Sequence, residues 1–355
     1  MRKIAIVMAL VASAAFADPG LGIDGNEKLC PNYGTNRIGS MYTEGYGPFV
    51  SGEFLYWTSQ MDGLDLAYTQ QVVQGSVTHA KQKVVAPSFD WDPAFRVGLG
   101  YYCDCMDWSL FLEWTRLRSD VKTSHERETN YELVSLWSRP SVSNTLTLNQ
   151  ITSHWDFAYD TLDLSLCPGY FRYKYFAIKP EFGLRGAWID WRYDVNSDYT
   201  EAGVPLTFRI ANKNDFHGIG FVAKVNLKWF IGYGFQLYAN ALSSVLYGQF
   251  NVSQPTHIVT TGSDRSLSFS EKYWRVKSNV HLALGLAWER FFMDNGIRLN
   301  VHAGYESLNW FNQNQLRKLR VIPFGQNPTL LDIVSINDRD DLGLSGFTIG
   351  AGLEF

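Results

Sequence analysis

The chain has 355 residues, with 31 Lys and Arg against 35 Asp and Glu for a formal net charge of −4, and 15% of it is aromatic, including 12 Trp and 19 Tyr. No basic block stands out, which argues against nucleic acid as a partner. Past the N-terminus no stretch reaches the roughly 18 uninterrupted apolar residues of a membrane helix.

Residues 1–17 read as a secretory signal peptide. Arg2 and Lys3 supply the charged start, Ile4 to Ala14 the apolar centre, and Ala15-Phe16-Ala17 the small-x-small cleavage site. The apolar run is too short to span a bilayer, so export is expected. Cleavage removes two basic and no acidic residues and lowers the formal charge to −6. Cys30 lies well past this site and is not placed to be the lipidated first residue of a lipoprotein.

The segment 18–47 is rich in Gly, Asn and Pro without periodicity and is expected on the periplasmic side, ahead of a β-domain over 48–355. Phe49 to Tyr68 is a long extended region in which Asp62-Gly63 reads as a tight turn or a bulge. Gln70 to Asp90 is polar and irregular. From Phe95 the chain alternates with period 2, the mark of strands. Phe95, Val97, Leu99 and Tyr101 oppose Arg96, Gly98, Gly100 and Tyr102, and after the turn 103–107, Trp108, Leu110, Leu112 and Trp114 oppose Ser109, Phe111, Glu113 and Thr115. Ser119 to His154 reads as a long polar connection. Leu162, Leu164 and Leu166 then alternate with Thr161, Asp163 and Ser165, and past Pro168-Gly169 the residues Ile178, Phe182, Leu184 and Trp188 alternate with Lys179, Glu181, Gly183 and Arg185.

A polar connection over 196–215 precedes Ile219 to Trp229, where Lys224, Asn226 and Lys228 occupy the polar parity. A tight turn at Ile231 to Gly234 leads into Phe235, Leu237, Ala239 and Ala241. After a third polar connection, 251–271, Val276 to Trp288 alternates with Lys277, Asn279, His281, Gly285 and Glu289. Beyond Asp294-Asn295-Gly296, Ile297 to Tyr305 alternates with Arg298, Asn300, His302, Gly304 and Glu306, and 310–340 is the last polar connection. In the closing strand Phe347, Ile349, Ala351, Leu353 and Phe355 face away from Gly346, Thr348, Gly350, Gly352 and Glu354. That polar face carries almost no bulk, and the chain stops on an aromatic residue.

A soluble sandwich produces the same alternation. Apolar stretches of roughly 9–11 residues capped by Trp or Tyr, long connections alternating with short turns, and the export signal together favour the bilayer. The expected fold is all-β: a transmembrane antiparallel up-and-down β-barrel with long external loops and short periplasmic turns. Four short turns, at 103–107, 168–174, 230–234 and 291–296, plus the first and last strands give ten strands. Further hairpins would raise this to 12, and the length permits 16.

Several segments carry a family resemblance: GEFLYW (Gly52–Trp57) with Asp62-Gly63, WDPAFRVGLGY (Trp91–Tyr101), FGLRGAWID (Phe182–Asp190), FHGIG (Phe216–Gly220), ALSSVLYG (Ala241–Gly248) and GYESLNWFNQNQL (Gly304–Leu316). They resemble the Legionella-type pore-forming outer-membrane protein family, which also occurs in Chlamydia-related bacteria as major outer membrane protein-like chains. The resemblance runs from about Gly47 to Phe355. It implies an outer-membrane location and passive diffusion of ions and small hydrophilic solutes, and it brings no catalytic residues.

On this topology twelve charges line the lumen: Arg96, Glu113, Asp163, Lys179, Glu181, Arg185, Lys224, Lys228, Lys277, Glu289, Arg298 and Glu306. They would set the field of an open pore, with a weak anion preference from Lys179, Arg185, Lys224, Lys228 and Arg298. In a barrel this narrow the same charges can instead pair and fill the interior; the chain would then be a structural or surface-interaction protein whose external connections contact host or neighbouring proteins. His281, Glu289, His302 and Glu306 share the lumen parity, but no nucleophile motif such as G-x-S-x-G accompanies them, so no enzyme is expected. Phe347, Ile349, Leu353 and Phe355 are the expected signal to the barrel-insertion machinery, with outer-membrane lipid as the other partner. Cys30, Cys103, Cys105 and Cys167 all fall on the periplasmic side, in an oxidising compartment. Disulfides within the chain, to other envelope proteins or in self-association are open to them, as the resemblance to chlamydial-type envelopes implies. Cys103-x-Cys105 lacks zinc-ligand spacing, and neither metal nor cofactor is expected.

Overall fold

The computed structural model describes residues 46–355 apart from 72–81, 104–107, 138–145, 170, 174, 202, 261–262, 293–296, 324–330 and 338–339. The signal peptide, the segment up to residue 45 with Cys30, and Cys105 therefore lie outside the described residues. Sixteen strands are described: β1 (Tyr46–Met61), β2 (Ala67–Gln71), β3 (Gln82–Val85), β4 (Trp91–Cys103), β5 (Trp108–Glu126), β6 (Tyr131–Ser135), β7 (Leu146–Cys167), β8 (Phe171–Arg172), β9 (Phe176–Glu201), β10 (Val204–Gly232), β11 (Phe235–Thr260), β12 (Ser263–Phe292), β13 (Ile297–Trp310), β14 (Arg317–Pro323), β15 (Leu331–Asn337) and β16 (Leu342–Glu354).

Ten of these close an antiparallel barrel in the order β1-β4-β5-β7-β9-β10-β11-β12-β13-β16, and β16 pairs back on β1 from Phe49↔Glu354 to Met61↔Leu342. The range of ten to twelve strands thus resolves to ten. The two-residue β8 extends β9 at the rim, β3-β2-β6 form a separate three-stranded sheet, and β14-β15 form a hairpin. Asp62-Gly63 is a turn that ends β1, with Gly63 at φ 82°, rather than a hairpin between two spanning strands. The turn joining β10 to β11 takes positive φ at Gly232, Tyr233 and Gly234 in succession, a path that two glycines make inexpensive. By the rule that short turns face the periplasm, this end and both ends of the barrel-forming chain lie on the periplasmic side.

The outward face divides into two zones. On β9 it reads Phe176, Ile178, Phe182, Leu184 and Trp188, then from Asp190 onward Arg192, Asp194, Asn196 and Asp198. On β10 it runs in from the turn as Trp229, Leu227, Val225, Phe221 and Ile219, then becomes Asp215 and Lys213. Residues 176–188 rise about 40 Å along a strand, or roughly 30 Å at the tilt of a membrane barrel, which matches the hydrocarbon thickness. Aromatic rings rim the upper edge of this band: Tyr56 stacks on Trp91 at 5.5 Å, Trp91 on Phe347 at 5.8 Å, and Tyr247 on Trp274 at 5.2 Å. Phe176, Trp229 and Phe235 stand exposed at the lower edge. Phe347, Ile349, Leu353 and Phe355, the expected insertion signal, are exposed on the lipid face.

Above the upper rim the inward parity becomes apolar. Ile189, Trp191, Tyr193 and Val195 on β9, Trp155 and Phe157 on β7, and Phe216 and Ile210 on β10 are buried in one core with Trp57, Phe250, Trp310 and Leu342. The connections expected as long external loops are therefore largely strand. Residues 119–126 and 146–154 continue β5 and β7, 196–215 is the tip of the β9–β10 hairpin, 251–271 the tip of β11–β12, and 310–340 holds β14 and β15.

Two outcomes follow. Leu284, 65% exposed on the membrane band, becomes costly when replaced by Arg: about 2–4 kcal/mol in urea equilibrium folding into lipid vesicles, against about 0–1 for Gln249→Arg one step above the rim. Outside the band, Asp215 sits directly across from Asp190. Although Asp190 keeps more than a third of its surface open, partial desolvation first and the Asp215 carboxylate second push it up to about 6 from the ordinary 3.8. The folded form holds this proton more tightly than the unfolded chain, so the group's contribution is intact below about pH 4 and is lost as pH rises through 6. Asp190→Asn should raise the temperature of the gel heat-modification transition at pH 7.5 and leave it unchanged at pH 4.

Candidate functional site

All twelve charges singled out from the sequence lie on the inward parity, and their contacts reach across the lumen. Arg96 on β4 places one guanidinium nitrogen 2.5 Å from Glu53 of β1 and another 2.8 Å from Glu306 of β13. His281 Nε2 lies 2.9 Å from Glu306, and His302 Nε2 lies 3.2 Å from Glu53. Between β1 and β13 runs β16, whose inward positions here are Gly346, Thr348 and Gly350. A Cβ at Gly350 would come within 2.6 Å of Glu53 Cγ and 2.7 Å of His302 Cε1. The bare inner face of the C-terminal strand is the space in which this cluster meets over the seam that closes the barrel.

A second cluster joins β9, β7, β10 and β5. Arg185 forks onto Asp163 with contacts of 2.7 and 2.5 Å, and Lys224 lies 3.2 Å from Asp163 and 3.1 Å from Glu113. Arg185 also donates to Asn279 of β12 at 3.2 Å, and Ser244 donates to the same oxygen at 2.9 Å. Nearer the periplasm, Arg298 holds Glu289 at 2.7 Å and Glu354 at 2.8 Å, while Lys179 pairs with Glu181 at 3.2 Å. Lys277 donates to the Asn312 carbonyl and rides 5.0 Å over the Phe250 ring.

Sequence reasoning missed two members. Glu53 was hidden because the inward parity of β1 had no polar run to mark it, and Glu354 sat on a face read as nearly empty. With them, seven carboxylates (Glu53, Glu113, Asp163, Glu181, Glu289, Glu306, Glu354) meet seven cations (Arg96, Lys179, Arg185, Lys224, Lys228, Lys277, Arg298). The cationic bias expected on the late strands is matched charge for charge.

Above the ion pairs the interior is packed with buried aromatic rings. Trp57, Trp155, Trp191 and Trp310 are each at most 1% exposed, and Tyr159, Phe216 and Phe250 are likewise buried. Tyr159 and Phe216 both meet Trp310 edge-on, at 6.3 and 6.4 Å. The chain between β1 and β2 folds down onto this layer. Leu64 and Leu66 are buried in it, Tyr193 donates to the Leu64 carbonyl at 2.7 Å, and the Trp137 indole donates to Asp65 at 2.6 Å. A water-filled channel would leave the rings at this level exposed. They are not.

Below the ion pairs a polar vestibule of about 250 Å³ opens, lined by Glu53, Glu113, Lys179, Lys228, Tyr238, Arg298, His302 and Glu354 among others. Of the cysteines, Cys167 is buried as a free thiol whose Sγ lies 3.2 Å from the Gly169 carbonyl. Cys103 ends β4 opposite Trp108, one step along from the Ser109↔Cys167 pair.

Removing Arg96 should be the most damaging single change in the lumen. Arg96→Met leaves the buried carboxylates of Glu53 and Glu306 with only His302 and His281 beside them, at a cost of about 3–5 kcal/mol in the urea equilibrium. Adding Glu53→Gln and Glu306→Gln to it should recover a large part of that loss.

Comparison with known proteins adds a family. Residues 46–355 match the family model described as Legionella pneumophila major outer membrane protein precursor. No curated protein matches significantly. Among solved structures, the outer membrane protease OmpT from Escherichia coli is similar at 8% identity, covering 89% of this chain and 99% of that one with a TM-score of 0.34. Ail, the attachment invasion locus protein of Yersinia pestis, aligns at 12% identity over 88% and 100% with a TM-score of 0.23. A Pseudomonas aeruginosa FadL homologue aligns at 7% identity over 88% and 90% with a TM-score of 0.26. At such scores these likenesses add nothing to what the strand pairing already shows.

Proposed function

We propose a role from one premise: the chain belongs to the Legionella major outer membrane protein family and is an outer-membrane β-barrel. Its role is that of an envelope and surface barrel whose lumen is closed at rest, with function carried by the strand tips and connections that stand above the bilayer. The observation behind this is the buried aromatic layer of Trp57, Trp155, Trp191 and Trp310, set above a lumen in which seven carboxylates meet seven cations. A constitutive porin needs a continuous wet wall, and wide aqueous channels are found in barrels of about 16 strands. No catalysis and no cofactor are assigned to it.

Passive diffusion of ions and small hydrophilic solutes is the second reading. The polar lumen and its vestibule favour it, and in that case the aromatic layer is a gate. Planar-bilayer recording separates the two. The closed reading expects the refolded wild-type barrel to give no steady conductance and Trp155→Ala/Trp310→Ala to give discrete steps. Stable wild-type steps, with an ion preference that shifts in Lys224→Gln/Lys228→Gln, would overturn it in favour of the porin.

A further inference from the structure

The vestibule has the features of a binding site as well as those of a channel mouth. Its wall includes Tyr238, which is 8% exposed overall yet has a buried phenol oxygen without a hydrogen-bond partner. The ring packs against two inward glycines of the next two strands, Gly285 of β12 and Gly304 of β13. A Cβ at Gly304 would stand 2.3 Å from the Tyr238 hydroxyl, and one at Gly285 2.7 Å from its Cε1. His302 meets the ring edge-on at 5.7 Å and fixes it from the side. A buried hydroxyl left unbonded is costly, so a ligand group that reached this phenol would gain a hydrogen bond the fold does not supply.

Lys228 lies beside it on β10. Glu289 Oε2 is 3.4 Å from its Nζ, but that carboxylate is already served by Arg298 at 2.7 Å and Gln236 at 3.0 Å. The lysine is thus surplus to the pair it approaches, and a quarter of its side chain is exposed. Across the cavity the most open carboxylates are Glu354 and Glu113, with 31% and 19% of their side chains exposed. The lining holds four carboxylates, Glu53, Glu113, Glu181 and Glu354, against three cations, Lys179, Lys228 and Arg298. Arg96 and Lys224 answer Glu53 and Glu113 from outside this lining, so neither sign dominates the cavity, and a single charge finds groups of its own sign on one wall. A molecule carrying both signs gains at each end.

We infer that the vestibule is a periplasm-facing site for a small zwitterion, an amino acid or short peptide, whose carboxylate is received by Tyr238 and Lys228 and whose ammonium faces Glu113 and Glu354. The volume of about 250 Å³ is below that of drug-sized pockets and suits a ligand of this size. The site lies on the periplasmic side of the aromatic layer, so it stands whether that layer is fixed or moves.

The test is saturation-transfer NMR and titration of L-alanyl-L-alanine onto the full-length refolded barrel in detergent, with acetate and ethylammonium as single-charge comparators. Wild type should bind the dipeptide more tightly than either comparator. Tyr238→Phe, which keeps the ring, and Lys228→Gln should each weaken it about tenfold, the loss of one hydrogen bond to a charged group. Ala287→Leu, which fills the vestibule, should abolish binding. Fold is checked for each variant by heat-modified gel migration. Dipeptide binding no tighter than that of acetate or ethylammonium would overturn the proposal, and so would unchanged affinity in folded Tyr238→Phe, Lys228→Gln and Ala287→Leu.

Discussion

A strand that runs from hydrocarbon into water has to exchange its apolar face, because each face meets a different solvent on either side of the boundary. In the bilayer the outside must be apolar and the inside can be polar. Above it the outside must be polar, and the inside has to supply the packing that holds the sheet closed. This chain makes the exchange within one or two residues of the upper aromatic rim, between Trp188 and Asp190 on β9 and between Ile219 and Asp215 on β10. Most of its other features depend on that inversion. It turns the upper barrel into an aromatic core, and it seats the segment carrying Leu64 and Leu66.

The lower half obeys a different constraint. With ten strands the interior is narrow enough for side chains to touch across it, and charges placed there are withdrawn from bulk water. Such charges persist only when paired. The network does this across strands that are not neighbours: Lys224 of β10 reaches Glu113 of β5, and Arg96 of β4 reaches Glu306 of β13. Reach of that kind needs empty wall, which the inward glycines provide. Gly350 leaves room for Glu53 and His302, and Gly285 with Gly304 leave room for Tyr238. Glycine on the polar parity is thus the complement of a large polar or aromatic group one or two strands away.

Much of this was legible in the sequence. Period-2 alternation from Phe95 to Phe355 located the membrane faces, and the inward parity of all twelve lumen charges followed from it, because a residue's side of a strand is set by its position alone. What stayed hidden was set by the inversion. In 196–215, Tyr199, Phe208 and Ile210 face inward while Asp198, Arg209 and Lys213 face water, so a reader tracking an outward apolar stripe sees only a polar stretch and takes strand for loop. Pairing was equally invisible. That Arg185 forks onto Asp163 while Lys228 keeps only a long contact depends on barrel register, which no local pattern carries.

The same inversion bears on how a closed barrel can still interact with solutes. A lumen blocked at mid-height is two chambers, and the lower one keeps its own opening to the periplasm. Its walls need not be neutral locally even where the whole lumen balances. Arg298 lies closer to Glu289 than Lys228 does, which leaves the lysine one long contact, and Tyr238 is pinned with its hydroxyl unbonded. A space-filling set has its charged groups answered from within, and a local surplus of charge departs from that. The upper clusters come close to that state around Arg96 and Arg185. The vestibule does not, and on the periplasmic side of the aromatic layer it is there that the wall has polar groups to offer a molecule other than itself.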